Sequence, residues 1–170
     1  VLRFFEFLQE RNLEEGNPLA RVHKFEKKDR PTAAITGYRA GKSDTENKAA
    51  MKSFDKDLRA KGYGFRKSEG TWEGGKEPSR FVTAKGKGNR HVKQFKRDMT
   101  NLSAKYDQDA VAIRHKKTTN LVGTNDTGYP GRGKVDNVGK TVYNKQDADF
   151  KTEFRPSKPA GKRPTFTTKE

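Results

Sequence analysis

The sequence predicts an α+β fold, a βαββαβ split (ferredoxin-like) two-layer sandwich, on three observations. Two stretches place apolar residues three and four apart, four short runs are rich in strand-forming residues, and glycine or proline clusters separate them. The order strand, helix, strand, strand, helix, strand allows an antiparallel sheet with both helices on one face, once crossovers are right-handed.

The first strand is read in "TAAITGYR", anchored by Ile35. From Glu46 to Ala60, Asn47, Ala50, Met51, Phe54 and Leu58 share one helical face, and Lys and Asp lie opposite. Ser43 or Asp44 supplies the N-cap, and Gly62 stands where a glycine stops a helix. "YGFRKSEGTW" and "SRFVTA" read as two strands joined by a glycine-rich turn, "EGGKEP". A second helix follows from about Asn89 to Tyr106, with Val92, Phe95, Met99, Leu102 and Tyr106 on its apolar face. "DAVAIRH" is the fourth strand, and "TNLVGTN" is placed to pair with it as a hairpin.

The chain divides by composition into residues 1–30, an amphipathic docking helix and charged linker; 31–125, the α+β core; and 126–170, an extended basic tail rich in Gly, Pro and Lys. Val1, Phe4, Phe5 and Leu8 give the first segment a helical apolar stripe too short to be stable without a surface to dock on. Only 29% of the 170 residues are hydrophobic, and adding the 16 glycines still leaves the chain below the usual ~45–50%. A modest core with partner-ordered ends is the expectation. Phe154 and Phe166, set among Lys, Arg and Pro, read as the tail's anchors for a neighbouring protein or as platforms on which bases stack.

The net charge of +16 favours polyanionic partners, nucleic acid first, including double-stranded DNA, and anionic membrane second. Lys85, Lys87, Arg90, Lys93, Lys96 and Arg97 cluster in a glycine-containing loop and the start of the second helix, a pattern suited to phosphate. No cysteine is present, and no apolar run approaches the ~18 residues of a membrane span, so neither disulfide nor membrane is expected. "VLRFFEFLQE" is acidic and lacks a small-residue cleavage site, so it does not read as a secretory signal.

"GYRAGKS", from Gly37 to Ser43, imitates a phosphate-binding loop. That loop needs four residues between its first glycine and the Gly-Lys pair, and here there are three, Tyr38-Arg39-Ala40. It reads as a strand-to-helix turn. His23, His91 and His115 are isolated, and no serine sits in a nucleophile elbow. The residues therefore predict no catalytic group, metal or cofactor. A pocket lined by Tyr38, Asn47 and Gln108 would be the sign of an enzyme on the same scaffold.

Two resemblances complete the reading. From Ile35 to Ile113, "ITGYR", Asn47, "DLRAKGYGF", "EPSRFV" and "KYDQDAVA" resemble a family of small bacterial and tailed-phage domains without an assigned function. Gly37 stands where that family usually has Ala, and Pro78 separates Glu77 from Ser79. "FFEFLQE" resembles the leader of internal head proteins in T-even-type phages, in which a protease cuts after the final Glu, here Glu10. Together they imply a non-enzymatic structural protein of a tailed-phage virion, at the head or its junction with the tail. It would be assembled in the host cytoplasm in multiple copies, docked to capsid or portal proteins and to packaged DNA. The alternative is a free, basic nucleic-acid-binding or host-takeover protein.

Overall fold

A computed structural model describes residues 24, 28–72, 75–143, 151–153 and 165–168. In chain order the elements are β1 (Thr32–Ile35), α1 (Asp44–Ala60), β2 (Phe65–Trp72), β3 (Gly75–Thr83), α2 (Asn89–Lys105), β4 (Ala110–His115) and β5 (Thr118–Gly123). β6 (Val135–Tyr143), β7 (Lys151–Glu153) and β8 (Thr165–Thr168) follow. The protein is α+β, with an antiparallel sheet and two helices.

Both helices begin and end for local reasons. The Ser43 hydroxyl accepts the Glu46 N–H while the Glu46 carboxylate accepts the Ser43 N–H, a reciprocal capping box that opens α1. At its other end Gly62, at φ +80°, lets the Tyr63 N–H reach the Leu58 carbonyl and its own N–H reach that of Arg59. α2 closes with the same pair of bonds, Gln108 to Ser103 and Asp107 to Ala104, with Asp107 in the left-handed conformation at φ +53°. That second stop is what delivers Gln108 to the end of β1.

The helices cover one face of the sheet. Phe54, Leu58, Phe95, Met99 and Leu102 pack on Ala33, Ile35, Val82, Val111 and Ile113. Tyr63 meets Phe95 edge-on, and Tyr106 meets Phe54 in the same way at 5.1 Å. The Tyr63 hydroxyl donates to the Asp98 carboxylate at 2.7 Å, which ties the end of α1 to α2.

The sheet departs from the expected open two-layer sandwich. β4, β1, β3 and β2 lie side by side, but neither outer strand ends the sheet. β4 pairs with β5 through a two-residue turn, Lys116-Lys117, both at positive φ, and β5 pairs with β6. β2 pairs with β7, and β8 joins β7 to β6, closing the ring. Residues 126–170, expected as an extended tail, thus supply three strands to this sheet. They have little apolar content, but closing a sheet satisfies two rows of backbone groups that an edge would leave open.

β3 also begins earlier than the sequence suggested. Glu77 and Pro78, read as turn residues, lie inside β3 opposite Gly70 and Glu69. Proline is tolerated there because β1 pairs with β3 only from Arg80 onward, so no ladder bond is lost on that side.

Gly37 is required by packing. A Cβ built on it would lie 2.9 Å from the Cβ of Phe54 and 3.2 Å from the ring of Tyr106. Gly37→Ala is expected to cost about 1–3 kcal/mol as an overpacking change, seen as a lower urea midpoint with an unchanged slope. Among the described residues no helix is long and apolar enough to cross a membrane.

Candidate active site

β1 ends at Ile35 and the chain turns through Thr36-Gly37-Tyr38-Arg39 before α1 begins. The turn is fixed from within and from three neighbouring elements. The Thr36 hydroxyl accepts the Tyr38 N–H at 2.9 Å and donates to the Pro78 carbonyl at 2.6 Å, linking the turn to β3. The Gly37 N–H points at the Met51 sulfur at 3.3 Å. Asn47, on the first turns of α1, takes the Arg39 N–H on Oδ1 at 2.9 Å and donates through Nδ2 to the carbonyls of Arg39 and Lys42. Gln108, just beyond α2, donates to the Tyr38 carbonyl at 2.8 Å.

Between this turn, α1 and β3 runs a groove of about 480 Å³. Tyr38, Met51 and Pro78 give it an apolar wall, and Asn47 closes one side. Lys48 and Lys52 stand on its α1 rim with Asp44 at one end. At the other end, Arg80 and Asp55 form a two-bond ion pair at 2.7 and 3.1 Å. The Arg80 guanidinium also sits 5.7 Å from the Phe65 ring, and that of Arg59 lies 5.0 Å from the same ring. The volume is within the range of sites that hold small organic molecules.

Glu77, Asp107, Asp109 and Arg39 form a charged cluster next in the chain to groove residues Tyr38 and Pro78 but outside the groove lining. Burial pushes the Glu77 carboxyl above its ordinary range, the negative charge of Asp109 adds to this, and Arg39 opposes both. Arg39 donates to the Asp107 carbonyl and lies 3.5 and 3.4 Å from the carboxylates of Asp107 and Asp109. A Cβ on Gly128 would fall 2.1 Å from the Asp109 carboxyl carbon, so the loop after β5 packs directly on that side chain.

The S-Adenosylmethionine lyase family model matches residues 33–168. The chain belongs to the S-adenosylmethionine lyase family. No curated protein matches the chain. The stretch Ile35–Ile113, which resembles a family without an assigned function, lies inside the matched span, so that segment now falls within a family whose name specifies a reaction.

Membership in an S-adenosylmethionine lyase family overturns the expectation of a non-enzymatic virion protein. Glu77 is only partly exposed in β3 and its carboxyl is raised above the ordinary range, a feature that no motif in the sequence marks. Tyr38 and Asn47 do line a groove, and Gln108 braces it from behind.

The other predicted positions fall elsewhere. Lys85, Lys87, Arg90, Lys93, Lys96 and Arg97 are exposed on the loop after β3 and the first half of α2, and none lines the groove. Lys85 places its ammonium 4.9 Å from the centre of the Tyr63 ring. Phe4, Phe5, Leu8 and Phe154 lie outside the described residues, and Phe166 is a backbone position in β8 paired with Tyr143 and Thr152. Among the described residues no group of three or more His, Asp and Glu is placed to hold a metal ion.

Proposed function

We propose that this lyase-family chain breaks a carbon–sulfur bond of S-adenosylmethionine without using water. The observation that carries the reading is the family match over residues 33–168. The groove walled by Tyr38, Met51 and Pro78 supports it.

The substrate is a sulfonium, so its sulfur already carries the positive charge of a leaving group. Its own carboxylate can attack the γ-carbon and close a five-membered ring. One C–O bond forms, the C–S bond breaks with its electron pair going to sulfur, and a neutral thioether leaves. The products are 5′-methylthioadenosine and homoserine lactone, and no proton is transferred. What such a reaction needs from a protein is orientation of the carboxylate against the C–S bond and exclusion of water, which would otherwise compete.

The residues suit those tasks. Tyr38, Met51 and Pro78 offer an apolar wall for the adenosine portion. Glu77, with Asp109 close enough to raise its pKa, offers negative charge to the substrate's ammonium. Binding a cation there draws the Glu77 carboxyl back toward its ionised form, so substrate and site compensate each other's charge.

The test is incubation of the purified chain with S-adenosylmethionine in ¹⁸O water, followed by mass spectrometry. Methylthioadenosine should accumulate. Any homoserine formed later from the lactone should carry label in its carboxyl group and none in its γ-hydroxyl. Label at the γ-oxygen would make the enzyme a hydrolase, and absence of methylthioadenosine would overturn the reading.

A further inference from the structure

All four backbone polar groups of Tyr38 and Arg39 are held by side chains, three of them by a side chain alone: the Tyr38 N–H by Thr36, the Tyr38 carbonyl by Gln108 and the Arg39 N–H by Asn47. The fourth, the Arg39 carbonyl, accepts both Asn47 Nδ2 and the Lys42 N–H. Asn47 is 3% exposed and Gln108 is 7% exposed. A turn at the surface normally leaves such groups to water, and burying a carboxamide is costly unless its polar atoms are paired. Here two buried carboxamides, one from α1 and one from just beyond α2, are committed to one half-buried dipeptide.

That dipeptide carries two side chains of the site. Tyr38 forms part of the groove wall, and Arg39 reaches Asp107 and Asp109 and lowers the pKa of Glu77. We infer that Asn47 and Gln108 are positioning residues for the lyase reaction, holding the Tyr38–Arg39 peptide so that ring and guanidinium stay in register with the groove and with Glu77. The inference rests on the function proposed above. Rigid support behind the contacting groups is what a reaction governed by orientation requires, because displacement by about 1 Å can cost on the order of 10²-fold.

The experiment compares Asn47→Ala and Gln108→Met with Glu46→Ala. Glu46 belongs to the capping box of the same helix and touches neither the dipeptide nor the groove, so it controls for helix destabilisation alone. The two positioning variants should lose roughly 10- to 100-fold in kcat with KM within about threefold, while Glu46→Ala keeps its turnover. Hydrogen exchange at the Arg39 amide supplies a readout independent of activity: slow in the wild type, fast in Asn47→Ala and unchanged in Glu46→Ala. Equal kcat losses in Asn47→Ala and Glu46→Ala, or an Arg39 amide still protected in Asn47→Ala, would overturn the inference while leaving the lyase reading intact. A wild type silent toward S-adenosylmethionine would remove the lyase reading and the inference with it, and the exchange data would then describe a structural clamp only.

Discussion

Glu77→Gln should lower kcat/KM toward S-adenosylmethionine by roughly 10- to 150-fold and raise stability at neutral pH. The activity loss is that of one charge-assisted contact, about 1.5–3 kcal/mol, removed from the substrate's ammonium. The stability gain follows from the raised pKa. Because the folded carboxyl titrates above its ordinary value of 4.5, ionising it opposes folding. This cost is fully present above the folded pKa, shrinks as pH falls through it, and is gone below the unfolded value. Glutamine keeps the shape without the charge. Thermal unfolding should therefore show a higher midpoint for the variant at pH 7.5 and coincident midpoints near pH 4. A midpoint that falls at pH 7.5 would mean that Glu77 is ion-paired in the resting protein and is not a strained group awaiting a cation.

Phe54→Ala should be the most damaging single change to the fold, costing about 3–5 kcal/mol. Phe54 is fully buried at the centre of the α1–sheet interface, and it carries the edge contact with Tyr106 as well as the close approach of Gly37. A loss of that size is a large part of the ~5–15 kcal/mol that typically separates folded from unfolded chains. Equilibrium urea unfolding would measure it. The same variant removes the surface on which the 36–39 turn rests, so activity should fall beyond what the folded fraction explains.

The helices were legible because their signals are local. A 3.6-residue apolar period, Ser43 with Glu46 three positions on, and Gly62 at the stop fix α1 to within two residues. The β4–β5 hairpin was legible for the same reason. The barrel closure was not, since β6 is polar, contains Gly139 at φ +99°, and pairs with β5 through a shifted register at Thr119/Asn120. A three-residue strand such as Lys151–Glu153 carries no period at all. Strand pairing, a non-local property, decides both.

The site was half legible. Tyr38, Asn47 and Gln108 could be named as the residues whose convergence would signal an enzyme, though their convergence depends on two helix ends meeting one strand end. Glu77 was hidden by its neighbour, because Pro78 makes "KEP" look like a turn. What raises the Glu77 pKa is burial, with Asp109, a residue 32 positions away in the chain, adding to it, and no linear pattern records either.

The ring of strands bears on how the chain acquires its shape. β8, at residues 165–168, supplies the bridge between β6 and β7, and β7 meets β2, some eighty positions earlier. Such a topology has high contact order and closes late, after a long loop has been entropically organised. A nascent chain whose β8 has not yet emerged from the ribosome holds β6 and β7 both unzipped on one side, two sticky flanks available to any other nascent strand. Closure of the ring thus waits on β8, and a fragment lacking it is a candidate for chaperone capture or aggregation before any chemistry begins.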